Sequence, residues 1–565
     1  MKTRTLASFA IFGALLLQAG AQLPNPEYYT LYHSTSNNTQ LIDSNGTTLH
    51  TWANTLTPLS GTTAYLREDG LLLRSGQNGA NPGGFLGGSY SSLQLVTWEG
   101  QVQWQFNLQT QGEVTLHHDM KSLSNGNILS TVWDFVPAAE LVDLGWSPTG
   151  ASGLWLERII EIEPNLSDGT SQIVWSWELR DHLVQNINPS LPNFGTVAAN
   201  PGKVDINFFT SSSTDPFHIS GIEYNPIRDE IILCPNVTDE IWIIDHSTTT
   251  AEAATSSGGA RGQGGDLIYR WGNPAVYDSA GPNAQKFLER AHDPRLLLCS
   301  PEEGCALTIH NNVRIDNNLS SLDSQALRID LPIDASGNYV QTPGEAFGPT
   351  TPEVLYENDP SNPFFNTPFM GGAQALSNGH ILITLPLTPR FVEVDQEGNV
   401  VWDFTVPERG FIFKGQNYPI NYAGYGPSLP FNYEVWREAN FGITTTNSAP
   451  GEDPDNDGTP NLAEYYTGSN PLASNTPLAL PSPIEQDGAN TLFQTTYTQR
   501  RNLVDVQARL EFSRNLDPWI DESDTIPLSE SISTQSNALE EVSFDAILDA
   551  SDPRGFFRLT IDFLK

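Results

Sequence analysis

Cysteine, basic residues and long apolar runs are all scarce in this chain of 565 residues, and each scarcity closes off a class of protein. The three cysteines, at 234, 299 and 305, are too few for a disulfide scaffold. Cys299 and Cys305 flank SPEEG between the apolar runs LLLC and CALTI, so they can face each other across a hairpin and pair in an oxidising compartment. Cys234 is then left over, as a small buried apolar residue. Lysine and arginine total 27 against 66 acidic residues, giving a net charge of −39. A surface of that sign repels nucleic acid and anionic membranes, which are bound through clustered Lys and Arg. The acids are spread along the chain rather than massed in a tail, so the charge reads as solubility. No window after the N-terminus reaches the roughly 18 apolar residues of a membrane helix. The one strongly apolar stretch, LASFAIFGALLL, follows the basic MKTR and precedes Ala19-Gly20-Ala21. That is the pattern of an export signal over residues 1–21, and the mature protein is expected to be secreted, periplasmic or at the cell surface. Losing Lys2 and Arg4 with it takes the charge from −39 to −41.

What the sequence has is short strands separated by Gly, Asn, Asp and Pro turns. An apolar strand, a polar turn and a strand ending in Trp or Tyr recur as LIDSNGTTLHTW (41–52), LVTWEGQVQWQF (95–106) and IIEIEPNLSDGTSQIVWSW (159–177). The same unit returns at 241–271, more loosely at 326–358, and as FVEVDQEGNVVWDF (391–404). A second hairpin type precedes the later copies. LSNGNIL (123–129) and LSNGHIL (376–382) are near-duplicates, and AYLREDGLLLRS, IEYNPIRDEIILC and LLLCSPEEGCALTI are looser relatives. Six self-similar four-stranded units predict an all-β fold, a six-bladed β-propeller over 22–428. Residues that open the innermost strands then converge on a central channel. A short amphipathic helix, FNYEVWREANFGI, begins a linker over 429–475, and alternating stretches such as VQARLEFS predict a small accessory β-sandwich over 476–565.

In the linker, Asp453, Asp455, Asp457, Thr459, Asn461 and Glu464 occupy positions 1, 3, 5, 7, 9 and 12 of an EF-hand-type loop, with Gly458 at position 6. A hard cation needs several oxygens wrapped by one turn, a glycine at the sharp bend and a closing carboxylate, so calcium is the expected ion. Its expected role is to stiffen a joint between domains.

Of ten histidines, His33, His50, His182, His246 and His380 read as surface or turn residues. His117 and His118 (HHDM), His218 (DPFHI), His292 (ERAHD) and His310 (TIHNN) remain. His118, His218 and His292 each precede the apolar run of a blade hairpin, which places them at one end of three inner strands. Strand alternation turns His117 away from the channel that His118 faces. Blade LSNGHIL carries GGAQA where its near-duplicate carries the histidines and Asp119.

HHD before LSNGNIL, then DPFHI…IEYN, GGDLIYRWGNP, AHD and LSNGHIL…VDQEGNVVWDF, in that order over roughly 50–410, resemble the exported bacterial arylsulfate sulfotransferases. That resemblance implies a propeller that moves a sulfuryl group from an aryl sulfate to a phenol without a nucleotide sulfate donor or any nucleotide cofactor. It implies His292 as the transiently sulfated nucleophile, with His118 and His218 holding sulfuryl oxygens and handling the phenol's proton. The chemistry is coherent on its own terms. A neutral imidazole can attack sulfur and leave again, and a second imidazole can shuttle a proton near neutral pH.

The sequence departs from the family where an arginine is expected to clamp the sulfate, since that strand reads IILCPNVTDEIW, with Asn236 and no arginine. Arg295 and Arg314 on neighbouring strands are the candidates to supply the charge, and Asp119 is a candidate to orient an imidazole. Two other readings stay open: a propeller altered into a binding module, and a lyase or hydrolase with a metal held by three imidazoles.

Overall fold

In the computed structural model, residues 28–474 are described apart from short stretches of loop; beyond 481 the description is of strand backbones with few side chains. The segments 1–21 and Arg314 lie outside the described residues. The six recurring units are six antiparallel sheets of the ring. Each outer hairpin read from the sequence forms the third and fourth strands of a blade, and each LSNGNIL-type hairpin forms the first and second.

Blade 2 runs Ala64–Leu66, Leu72–Gly76, Ser92–Val96 and Val102–Asn107; blade 3 runs Val114–Ser122, Ile128–Pro137, Gly153–Pro164 and Ser171–Glu178. Blade 4 is Ile219–Asn225, Glu230–Pro235, Ile241–Asp245 and Tyr269–Trp271, and blade 5 is His292–Ser300, Gly304–Asn311, Gln325–Asp330 and Glu353–Glu357. Blade 6 is Gly372–Ala375, Ile381–Leu385, Arg390–Val394 and Val400–Thr405. Blade 1 is composite. Its outer strands are Tyr28–Ser34, Thr39–Ile42 and Thr48–Trp52, but its innermost strand is Ile412–Pro419 from the other end of the ring. That closure explains why the first sequence repeat lacks an inner hairpin.

The recurring aromatic at the end of each outer strand ties one blade to the next. Trp52, Trp104, Trp175, Trp271 and Trp402 are all buried. Their indole N–H groups donate to Thr97 O, Thr170 O, Thr248 Oγ1, Pro349 O and Ser44 O, each in the following blade. Each ring buries a large apolar surface and also satisfies a polar group that would otherwise be stranded, which contributes about 1 kcal/mol per bond beyond the burial itself. Blade 5 has Tyr356 at this position, also buried.

Cys299 and Cys305 are directly opposite in the inner hairpin of blade 5 and are joined by a disulfide. Cys234 is buried, and its Sγ donates to Ala291 O at 3.1 Å. Two histidines expected at the surface are instead buried. His33 bonds Thr39 Oγ1 at 2.7 Å, and His182 bridges Asp266 and Ala253 O, both at 2.8 Å. After the ring come helices Tyr433–Phe441 and Asn461–Thr467. Beyond them one sheet orders Ser482–Asp487, Asn490–Arg500, Leu539–Asp549 and Leu528–Thr534, and another orders Ile520–Asp521, Val506–Ser513 and Phe556–Phe563. Among the described residues, no helix is long and apolar enough to cross a membrane.

Candidate functional site

The inner strands of blades 3, 4 and 5 each break register at the channel, between His117 and Met120, between Ile219 and Ile222, and between His292 and Arg295. A bulge re-aims side chains that strict alternation would hide. His118, His218, Arg290, Asp293 and Met370 all have positive φ, a conformation that costs roughly 1 kcal/mol or more outside glycine and clusters at functional sites. The three histidines do converge, but not from one register position as the hairpin pattern implied. His118 lies inside its bulge, His292 is the last paired residue before one, and His218 stands one residue ahead of its strand's pairing.

Together they line a cavity of about 630 Å³ with Asn236, Glu289, Arg290, Phe369, Met370 and the glycines 61, 87 and 88. The rings of His118 and His218 are 4.4 Å apart, and Phe413 lies 5.9 Å from His118 and 6.0 Å from His292. His118 packs on Gly88, where any Cβ would overlap its imidazole.

The proton on His292 is fixed by its neighbours. Asn312 Nδ2 donates to the carbonyls of Thr367 and Met370, at 2.9 and 2.8 Å, so its Oδ1 must be the atom facing His292 Nδ1 at 2.7 Å. Arg290 O also faces Nδ1, at 2.8 Å. Two acceptors on Nδ1 require it to carry the hydrogen, which leaves a lone pair on Nε2. The Met370 N–H at 3.3 Å and Asn236 Nδ2 at 3.5 Å approach that Nε2. Burial drives the pKa of His292 down to about 4, with the Asn312 bond opposing and His218 reinforcing it. The ring is therefore neutral and nucleophilic at neutral pH. Burial likewise holds His118 well below the ordinary imidazole value, with His218, His117, His292 and Lys414 adding to the effect. His218 is partly exposed and its Nδ1 pairs with Asp215 Oδ2.

Along the inner strands the chemistry changes within one residue. Asp119 does not orient an imidazole. Its carboxylate accepts from Tyr65 Oη at 2.7 Å, Lys414 Nζ at 2.8 Å, and the backbone N–H groups of Met120 and Ile222. Lys414 also donates to Asp293 Oδ1 at 2.9 Å, joining blades 3 and 5 through the closing strand. Burial pushes Asp293 up, but Arg295 and Lys414 outweigh it and leave the carboxyl at about 2. Arg295, expected at the sulfate, belongs elsewhere. Its Nε donates to Asp293 Oδ2 at 2.7 Å and its Nη1 to Gln416 at 2.7 Å. It lines a second cavity with Arg67, Lys121, Glu223, Lys414 and Tyr418 that shares no lining residue with the first. Lys414 and Asp293 line this second cavity, and Asp119 bonds Lys414 and Tyr65 on its wall. The cation at the mouth of the histidine cavity is Arg290, two residues before His292.

Sequence reasoning missed Lys414, Asn312, Asp215 and Tyr65. Lys414 had one signal: a lone lysine amid FIFKGQNY, on a strand that ring closure requires at the channel.

In the linker, one carboxylate oxygen each of Asp453, Asp455 and Asp457 lies within 4.8 Å of the other two. Gly458, with φ +94°, donates to Asp453 Oδ2 at 2.9 Å. Asn461 and Glu464 are buried on the helix that follows. Asp453 Oδ1, Asp455 Oδ2 and Asn461 Oδ1 are buried without a hydrogen-bond donor, an arrangement that suits a cation. Among the described residues no other group of three such ligands lies within that distance of one another.

A family model described as arylsulfotransferase (ASST) matches residues 63–406. No curated protein sequence matches the chain. Solved structures that match include a protein of unknown function from Bacteroides caccae, 11% identical with a TM-score of 0.36, covering 69% of this chain and 98% of that one. A periplasmic gluconolactonase of Pseudomonas aeruginosa is 10% identical, TM-score 0.33, with 69% and 98% covered. Streptogramin B lyase is 13% identical, TM-score 0.30, with 70% and 95% covered.

Proposed function

Because the chain belongs to the arylsulfotransferase family, we propose that it moves a sulfuryl group from an aryl sulfate ester to a phenol through a sulfated His292. The observation that carries this is the Asn312 lock, which leaves the lone pair of His292 Nε2 in the cavity. In the first step Nε2 attacks sulfur, the S–O bond to the aryl group breaks, and His118 gives the departing phenoxide a proton. Nδ1 keeps its hydrogen throughout, so the sulfated ring is an imidazolium whose charge offsets that of the SO3 group. In the second step an acceptor phenol returns a proton to His118, its oxygen attacks sulfur and the N–S bond breaks. Two moderate barriers replace one high one.

The groups that approach Nε2 in the resting site, Met370 N–H and Asn236 Nδ2, face the sulfuryl oxygens once sulfur is attached there. Donors held in place before charge develops are the ones that lower a barrier most. His218 and Arg290 supply further donors from the mouth, in place of the missing arginine. Asn236 Oδ1 is buried without a donor of its own and can accept the hydroxyl of an incoming phenol.

Brief exposure to 4-nitrophenyl sulfate should add one SO3 group to the protein, seen by intact mass under non-acidic conditions, and His292→Asn should abolish the adduct. Failure to form any adduct, with no nitrophenol released for any acceptor, sinks the proposal.

The exported location is supported by the leader-like N-terminus and by the Cys299–Cys305 disulfide, a bond that persists in oxidising compartments. For the linker loop, Asp453, Asp455, Asp457, Thr459, Asn461 and Glu464 would hold calcium, whose binding would offset the carboxylates' repulsion and satisfy the stranded oxygens. Bound calcium by native mass spectrometry and a melting temperature lowered by EDTA are expected. A chain that binds no calcium and melts identically in EDTA overturns it.

A further inference from the structure

Behind His118 lie a second buried imidazole, His117, and a buried carboxyl, Glu157, that the transfer steps above do not use. Nδ1 of His118 and Nδ1 of His117 are 3.0 Å apart, so one ring must donate and the other accept. Nε2 of His117 lies 3.0 Å from Glu157 Oε2, and neither atom has a hydrogen-bond partner in its present alignment. That separation is within hydrogen-bond reach, so a proton on either atom can pass between them. Both side chains are fully buried, and they are positioned firmly. His117 stacks on Trp133 with centroids 4.0 Å apart and planes 2° apart. Glu157 Oε1 is held by Trp133 Nε1 at 3.1 Å and by the backbone N–H of Ile219 at 2.8 Å.

We propose that His118, His117 and Glu157 form a proton relay that stores the phenol's proton on Glu157. This rests on the sulfotransferase reading, in which His118 handles that proton. In the loaded state Glu157 carries Oε2–H, His117 carries Nδ1–H and His118 carries Nε2–H, pointing a donor at the substrate oxygen. When His118 Nε2–H passes its proton to the departing phenoxide, His117 Nδ1–H moves to His118 Nδ1 and Glu157 Oε2–H moves to His117 Nε2. The relay then holds one proton fewer, both imidazoles are neutral, and Glu157 is a carboxylate. The acceptor phenol drives every transfer in reverse. Neither buried ring needs to become an imidazolium, a state that burial disfavours for both. Burial, with Asp215 reinforcing and the Ile219 and Trp133 bonds opposing, raises Glu157 to about 8, so the resting carboxyl is in the loaded form at neutral pH. The charged and titratable groups around it are His117, Asp215 and His218.

The test uses the full chain and two readouts. In the wild type labelled with glutamate enriched at the carboxyl carbon, one glutamate should ionise near pH 8 by NMR. Absence of any glutamate titrating above pH 6 overturns the relay whether or not the enzyme turns over, and this measurement needs no variant to fold. Glu157→Gln keeps the size and a donor to His117 but cannot give up a proton. It should slow transfer from phenyl sulfate about 10–100-fold more than transfer from 4-nitrophenyl sulfate, whose phenoxide leaves with little help. Equal losses with both donors mean Glu157 only supports the site's shape, which also overturns the relay. A wild type that forms no sulfohistidine would instead fail the sulfotransferase reading, leaving the glutamate titration to be read by itself.

Discussion

Blades 3 and 6 share a turn almost letter for letter, LSNGNIL and LSNGHIL, yet they treat the channel in opposite ways. At equal distance before that turn blade 3 has His118 and Asp119, and blade 6 has Gly371 and Gly372. His118 and Gly371 both adopt positive φ, so the backbone makes the same bend with and without a side chain. The difference is in what fills the space. Blade 3 supplies a ring and a carboxylate of its own. Blade 6 makes room for its neighbour: a Cβ on Gly372 would strike the Asp293 carboxylate, and one on Gly371 would come within 2.9 Å of His310 Nε2. One scaffold bend thus serves either as a carrier of chemistry or as a vacancy for another blade's chemistry.

Giving blade 3 the residue of blade 6 tests this most severely. His118→Gly suits the bend and should leave the fold intact while lowering transfer by roughly 10²–10⁴-fold, as expected for losing a general acid and base. Steady-state rates with phenyl sulfate, alongside a melting curve, check it. Lys414→Met leaves Asp119 and Asp293 as buried carboxylates without their shared cation, and should destabilise the protein by about 3–5 kcal/mol in urea melts. In the reverse direction, Gly372→Ala should cost about 1–3 kcal/mol, because Asp293 must shift to admit one methyl group. The smallest effect is expected from acid. An imidazole with its pKa near 4 loses its lone pair only as pH falls through that value, so kcat/KM at pH 5.5 should stay close to its neutral level. An acid limb near pH 6.5 would contradict it.

The blades were legible because their signals are local. A polar turn between alternating strands and an aromatic at the strand end can be read within a dozen residues, and the aromatic recurs because each blade needs the same tie to the next. His118, His218 and His292 were legible as a set for the same reason. Their register was not, because a bulge is set by what packs across the channel and leaves no mark in the turn that follows. Arg295 shows the cost. It stands three residues after His292, but the bulge between them directs it to the opposite cavity. Lys414 and Asn312 were hidden by distance: one comes from the closing strand, and the other acts through backbone carbonyls of residues 367 and 370. Asn236 came into view only through the family resemblance, as the residue on the strand where an arginine was expected, and its Nδ2 lies 3.5 Å from His292 Nε2.

The closing strand Ile412–Pro419 also sets the order in which the site can come into being. Histidines 118, 218 and 292 are synthesised well before residue 414, but the cation that links Asp119 to Asp293 arrives only when the last strand docks beside the first. A chain cut before residue 412 would contain every proposed reacting imidazole and still lack the brace between blades 3 and 5. On the proposed mechanism, sulfuryl transfer is expected only from a chain whose last strand has docked.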